Sequence, residues 1–166
     1  MPTRIRPATP ADAPLVCALV LELAEYERLR DAAETTPEAI AAALTPGPDA
    51  PRLDVLLAED QAGEAVGFAL FYPVFSTFRA AWALYLEDLY VRPERRGCGH
   101  GFALLQAVAA EAVRRGAPRL DWVVLDWNAL ALGFYRRLGA RPLDDWTVMR
   151  LEGDALRALG EGSAAP

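Results

Sequence analysis

Lysine is absent from this 166-residue chain; every one of its 17 basic residues is arginine, and histidine occurs once, as His100. The missing lysine excludes a Walker A loop, whose Gly-Lys-Ser/Thr element cannot be written without it. With one histidine and two distant cysteines, Cys17 and Cys98, no metal-ligand cluster is expected, and no disulfide framework either. No apolar run approaches the roughly 20 residues that span a bilayer, and the first residues lack a charged and then apolar leader pattern. A cytoplasmic protein that makes no membrane contact is therefore expected. Basic charge is also in short supply, with 23 acids against 17 arginines and a formal net charge of -6. That balance disfavours nucleic acid as a partner and suits a cationic one.

What is present is an ordinary globular composition, 53% hydrophobic and 24% charged. Thr3–Arg6 reads as a first strand. Thr9-Pro10 with Asp12 opens a helix carrying Leu15, Leu19 and Leu23 on one stripe, and Thr36-Pro37-Glu38 opens a second. Residues 45–52 are a loop by composition. Residues 53–59 and 64–72 form a hairpin turned at Gln61-Ala62-Gly63, and a strand follows over 82–92. An amphipathic helix over 100–115 points Leu104, Leu105, Val108 and Ala112 inward. Leu120–Leu125 reads as a buried strand, Asn128 caps a helix that ends at Gly139, and a last strand falls near 146–151. The expected order is β-α-α-β-β-β-α-β-α-β-β: an α/β (α+β) fold with a mixed sheet, one domain over residues 1–159 and a polar tail over 160–166.

The most informative stretch is Val91-Arg92-Pro93-Glu94-Arg95-Arg96-Gly97-Cys98-Gly99-His100-Gly101. A strand ends, glycines alternate, and a helix starts at once. Glycine allows positive φ and close approach of a ligand to the backbone, and the free N–H groups of a helix start attract anions. Arg95 and Arg96 add positive charge beside it, so a pyrophosphate fits; a tight turn without a ligand is the plainer alternative. The spacing is not the dinucleotide fingerprint, and it follows the fourth strand instead of opening a first βαβ unit.

Arg96-Gly97-Cys98-Gly99-His100-Gly101 matches the Arg/Gln-x-x-Gly-x-Gly/Ala loop of the GNAT acetyltransferase superfamily, and the element order resembles the GNAT fold. Tyr85-Leu86-Glu87-Asp88-Leu89-Tyr90-Val91, Asp126-Trp127-Asn128 and Phe134-Tyr135-Arg136-Arg137-Leu138-Gly139-Ala140 resemble its diamine (spermidine/spermine) acetyltransferase branch. The likeness extends to Ile5–Thr9 and Glu22–Glu27. It implies acetyl-CoA as co-substrate and a primary amine of a small molecule as acceptor, either a di- or polyamine or an amino acid with a side-chain amine. It implies that backbone groups of Leu89, Tyr90 and Val91 pair with the pantetheine arm. Arg96, Gly97, Cys98, Gly99, His100, Gly101 and Phe102 would hold the pyrophosphate, and Asn128 and Ala131 would contact the cofactor near the thioester. Tyr135 would protonate the leaving thiolate. Glu87 would take the proton of the incoming ammonium through water, and Glu27, Glu87 and Asp88 would bind the amine. A homodimer is implied too.

The residues support several of these roles by themselves. An amine near neutral pH must lose a proton before it attacks a thioester, and the oxyanion formed suits a strand amide such as that of Leu89. Asn128, Leu132 and Tyr135 fall at i, i+4 and i+7, on one helix face. Tyr135 taken alone is equally a core aromatic. Strand alternation sends Glu87 and Asp88 to opposite faces. His100 reads as a loop residue, and Cys98 has no partner for nucleophilic work. Phe68, Phe71, Tyr72, Phe75 and Phe78 read as a buried strand and its exit, with part of it available to an acceptor pocket or a dimer contact. Glu25, Tyr26 and Glu27 make an acidic mouth or a solvated helix face. Residues 141–146 are shorter than the acidic stretch of the diamine branch, and 73–81 lacks polyamine-binding acids. The acceptor thus stays open to an antibiotic or a peptide N-terminus, and a non-catalytic acetyl-CoA-binding regulator is the third reading.

Overall fold

The computed structural model describes residues 3–45, 47 and 53–163. Most of the loop expected over 45–52, and the last residues of the tail, lie outside the described residues. The chain divides into two compact units, Met1–Val123 and Val124–Pro166.

The first unit is built on a sheet whose strands lie in sequence order: β1 (Arg4–Pro7), β2 (Asp54–Glu59), β3 (Ala65–Ser76), β4 (Ala81–Val91) and β5 (Leu120–Asp121). The first four pair antiparallel, and β5 runs parallel to β4 at Leu84 and Tyr85. The β2–β3 turn forms as its residues dictate. Asp60 accepts from the amides of Ala62 and Glu64 at 2.9 and 3.1 Å, and Gly63 takes φ +81°.

Helices α1 (Ala13–Tyr26) and α2 (Pro37–Leu44) cover one face of the sheet. Thr9 and Asp12 form the expected capping box around a short 3-10 turn at Pro10–Asp12, and α1 follows it. Thr36 Oγ1 caps α2 by accepting from Ala39 N at 3.2 Å. Val16, Leu19 and Leu23 of α1 and Ile40 of α2 pack onto Val55, Leu57, Phe68, Leu70 and Tyr90. Leu15 is only half-buried, so the stripe runs through Val16 instead. Helix α3 (His100–Arg114) covers the other face with Leu104, Leu105, Val108 and Ala112, and the Arg115 guanidinium just past its end lies 5.8 Å over the Phe71 ring.

The second unit holds α4 (Ala129–Arg137) and α5 (Gly153–Gly160). Asn128 Oδ1 caps α4 through Ala131 N at 3.1 Å, and Gly139 ends that segment at φ +85°. Three expectations change from β5 onward. β5 is two half-buried residues long, not a buried strand over Leu120–Leu125, and Val123 is exposed. No strand forms among the described residues 146–151, where Trp146, Val148 and Met149 are exposed. Alternation alone does not make a strand; the ladder partner does. Third, α5 occupies sequence taken as the approach to a polar tail, with Asp154 in its first turn and an Arg157–Asp154 ion pair along one side.

Candidate active site

The site of the first unit is assembled around the end of β4. Leu70 of β3 pairs with Asp88 and the next residue, Phe71, pairs with Leu86, so Glu87 is the additional residue of a β-bulge. The bulge overturns the expectation that Glu87 and Asp88 point to opposite faces. Leu70 and Tyr72 share one face of β3 by strand alternation. Asp88 lies opposite Leu70, while Tyr72 donates its hydroxyl to Glu87 Oε2 at 2.7 Å. Both acids therefore stand on the α1 side of the sheet, where Glu27 closes the last turn of α1.

Three acids in one place change one another's proton affinity. Removal from water, then the charges of Glu87 and Glu27, push the half-buried Asp88 carboxyl up to about 7. Burial also raises Glu27. Tyr72 is raised well above the ordinary phenol range, first by burial and then by its bond to Glu87, so it stays a donor. Sequence reasoning had no signal for Tyr72 in this role, since its partner is fixed by β3–β4 register.

The ladder between β4 and β5 covers only Leu84 and Tyr85 of β4. Arg92 N donates to Val66 O at 2.9 Å, continuing the β3 ladder. Antiparallel alternation then turns Tyr90 toward β3 and sends the backbone groups of Leu89 and Val91 to the opposite edge. Past Tyr85 that edge has no ladder partner among the described residues. Of the three residues expected to pair with an extended ligand, Leu89 and the amide of Val91 face that edge, the Val91 carbonyl is held by Arg96 Nε at 2.9 Å, and Tyr90 is committed to the sheet and the core. Gly67 makes this arrangement possible: a Cβ there would lie 2.4 Å from the Tyr90 carbonyl oxygen and 3.0 Å from Val91 Cγ2.

The loop after β4 holds Gly97 at φ +78° and Gly99 at φ +88°. Ala103 N makes the first intrahelical bond, to Gly99 O at 2.9 Å, so the amides of His100, Gly101 and Phe102 precede the ladder of α3. These are donors in a concave turn at the positive end of a 15-residue helix. The arginines beside it are committed elsewhere. Arg95 pairs with Asp60 at 3.2 Å, while Arg96 Nε donates to Val91 O at 2.9 Å and its N–H to Pro93 O. The donors this loop leaves outside the helix ladder are consequently backbone amides. The His100 imidazole meets Thr3, with Nδ1 2.9 Å from Oγ1. Cys98 is exposed.

In the second unit, Asn128 and Tyr135 sit at the start and near the end of α4, with Leu132 N bonded to Asn128 O at 3.0 Å between them. Tyr135 is half-buried and packs on Phe134 with ring centroids 5.3 Å apart. The side-chain oxygen of Asn128 is the cap of the helix through Ala131 N.

The chain has counterparts among known proteins. The chain is similar to the thialysine N-epsilon-acetyltransferase of Bos taurus, 39% identical with 93% of this chain and 95% of the relative covered. It is similar to the L-ornithine N5-acetyltransferase of Arabidopsis thaliana at 31% identity, over 95% of this chain and 87% of the relative. Among solved structures, an integron cassette protein from the mobile metagenome of V. cholerae matches with a TM-score of 0.79 at 25% identity, covering 97% of this chain and 99% of its own. The profile of the Acetyltransferase (GNAT) family matches residues 21–140, and the chain belongs to that family of acetyltransferases.

Proposed function

We propose that the protein transfers the acetyl group of acetyl-CoA to a primary amine of a small molecule that carries a second ammonium group, a di- or polyamine or an amino acid with a side-chain amine. The observation that carries this reading is the bulge of β4, which sets Glu87 and Asp88 side by side facing Glu27. A surface of acids attracts ammonium groups, and an acid poised near neutral pH can take a proton from one. The relatives named for ornithine and thialysine act on molecules of this class.

Acetyl-CoA supplies the acetyl thioester. The edge of β4 at Leu89 and the Val91 amide fits the pantetheine arm, and the amides from Gly97 to Phe102 fit the pyrophosphate. Asp88, in place of the Glu87 that the family resemblance implies, takes a proton from the bound ammonium, directly or through a water, with Glu87 beside it. The freed nitrogen lone pair forms the N–C bond to the thioester carbonyl, whose oxygen gains charge that the Leu89 N–H can meet. The C–S bond then breaks with its electron pair leaving on sulfur, Tyr135 supplies the proton that makes CoA a thiol, and the second proton of the new amide nitrogen passes to water, from which Tyr135 is reprotonated. The chemistry needs no metal, and we place the enzyme in the cytoplasm as a homodimer.

Comparing amines tests the acceptor class. Putrescine, spermidine, ornithine and thialysine are expected to release thiol from acetyl-CoA at KM values roughly tenfold or more below that of butylamine, which lacks the second charge. Equal KM values across the set would remove the acidic cluster from the account.

A further inference from the structure

Two arginines join the end of β4 to the last turns of α1. Arg92 grips Glu22 through Nε at 3.0 Å and Nη2 at 2.9 Å, and its Nη1 donates to Ala65 O at 3.2 Å. One turn further along α1 lies Tyr26, and four residues beyond Arg92 lies Arg96, whose Cζ stands 4.5 Å from the centroid of the Tyr26 ring. The same guanidinium is 5.9 Å from the Tyr90 ring, and its Nε holds the Val91 carbonyl. The spacing of four thus repeats on both sides of the contact, around the short turn at Pro93–Arg95.

The positions of the two partners give this contact a consequence. Directly after Arg96 comes Gly97, where the backbone turns to positive φ and the anion loop begins. Directly after Tyr26 comes Glu27, at the C-terminal cap of α1. A segment whose order is shared by two sites is fixed once; a ligand that has ordered it lightens the cost for the second. Arg92–Glu22 fixes the strand end to the helix, whereas Arg96–Tyr26 is the contact that lies between the loop and the acid.

We infer that the stack of Arg96 on Tyr26 is a clasp that couples the acetyl-CoA loop to the acceptor acids, so that each substrate binds more tightly when the other is present. This inference rests on the proposed function for the identity of the two ligands. Arg96 and Tyr26 act in it as positioning residues, with no contact to the reacting atoms.

The test uses the full chain, CoA as an unreactive partner and thialysine or spermidine as the amine. The CoA dissociation constant, measured by calorimetry with and without saturating amine, is expected to improve roughly fivefold or more in the native protein. Tyr26→Leu, which removes the ring, and Arg96→Gln, which keeps a donor for Val91 O but removes the cation, are each expected to bring that ratio near one. Tyr26→Phe keeps the ring face and is expected to restore it. Hydrogen exchange of the free protein supplies a readout that needs no ligand. Amides of residues 97–102 and of residues 25–28 are expected to exchange faster together in Tyr26→Leu and to keep their native rates in Tyr26→Phe. A native coupling ratio in the Leu and Gln variants, or loop exchange unchanged in Tyr26→Leu, overturns the clasp. If neither amine binds or is acetylated by the native protein, the proposed function fails, and the exchange experiment still decides whether the contact holds the loop.

Discussion

Asp88 carries the sharpest residue-scale expectations. Its carboxyl is held up to about 7, against an ordinary 3.8, by loss of water and by Glu87 and Glu27. As a base it works only when ionised, so kcat/KM is expected to rise with pH through about 7, and Asp88→Asn to lower it by about 10²–10⁴-fold. A flat profile across that range would assign the proton to another group. The same shift has a stability sign. The native protein keeps a proton that the unfolded chain loses above 3.8, so stability falls as pH rises from there to about 7. Asp88→Asn is therefore expected to raise Tm at pH 8 by a few degrees and to remove that part of the pH dependence, which calorimetry at pH 5 and pH 8 would reveal. Tyr135→Phe is expected to lower kcat by about 10²-fold while acetyl-CoA affinity is kept; unchanged turnover would end its role as the acid. Tyr72→Phe removes the bond to Glu87, and a loss of a few-fold in kcat/KM, equivalent to about 1 kcal/mol, is the expected size.

Among the elements, β4 concentrates the function, and its parts differ in how far the sequence discloses them. The glycine-rich loop and the helix after it are local: Gly97, Gly99 and the stripe Leu104, Leu105, Val108, Ala112 announce themselves by spacing, and the structure places them as read. The caps at Thr36 and Asn128 are local in the same way. The bulge at Glu87 is not, because it is a mismatch between β3 and β4 and leaves no mark on either strand's own alternation. Gly67 is hidden for the same reason, as its need for a missing side chain comes from the Tyr90 carbonyl across the ladder. Gly67→Ala is accordingly expected to cost about 2 kcal/mol or more, since backbone has to move and a side-chain rotation cannot relieve the contact. It should also weaken acetyl-CoA binding, because Leu89 and Val91 move with Tyr90. Denaturant unfolding and a CoA titration read the two effects separately, and a variant with native stability would contradict the packing described here. The pattern Trp146-Thr147-Val148-Met149 shows the opposite failure, a strand-like period that finds no ladder among the described residues.

At the scale of the molecule, the acidic balance read from composition takes on a location. Arg6, Arg92, Arg95, Arg115 and Arg119 are spent on ion pairs with Asp12 and Glu59, Glu22, Asp60, Asp54 and Glu111, and Asp121. Glu27, Glu87 and Asp88 are left to face one another without a basic residue among the causes that set the Asp88 carboxyl. The tip of the β3–β4 hairpin is apolar and exposed, with Phe75 and Trp82 edge to face at 5.3 Å and Phe78 94% exposed at the turn. An aromatic surface of this kind suits association; sedimentation is expected to show a dimer that Phe78→Ser with Trp82→Ser converts to monomer, and a monomeric native chain would remove the homodimer from the account. The central claim concerns chemistry, and one experiment meets it directly: incubation of the full chain with acetyl-CoA and thialysine or spermidine, counting thiol released against acetylated amine identified by mass spectrometry. The account predicts one thiol for every acetyl group found on a primary amine. Thiol released with no acetylated amine, or no release with any amine of the set, would contradict it.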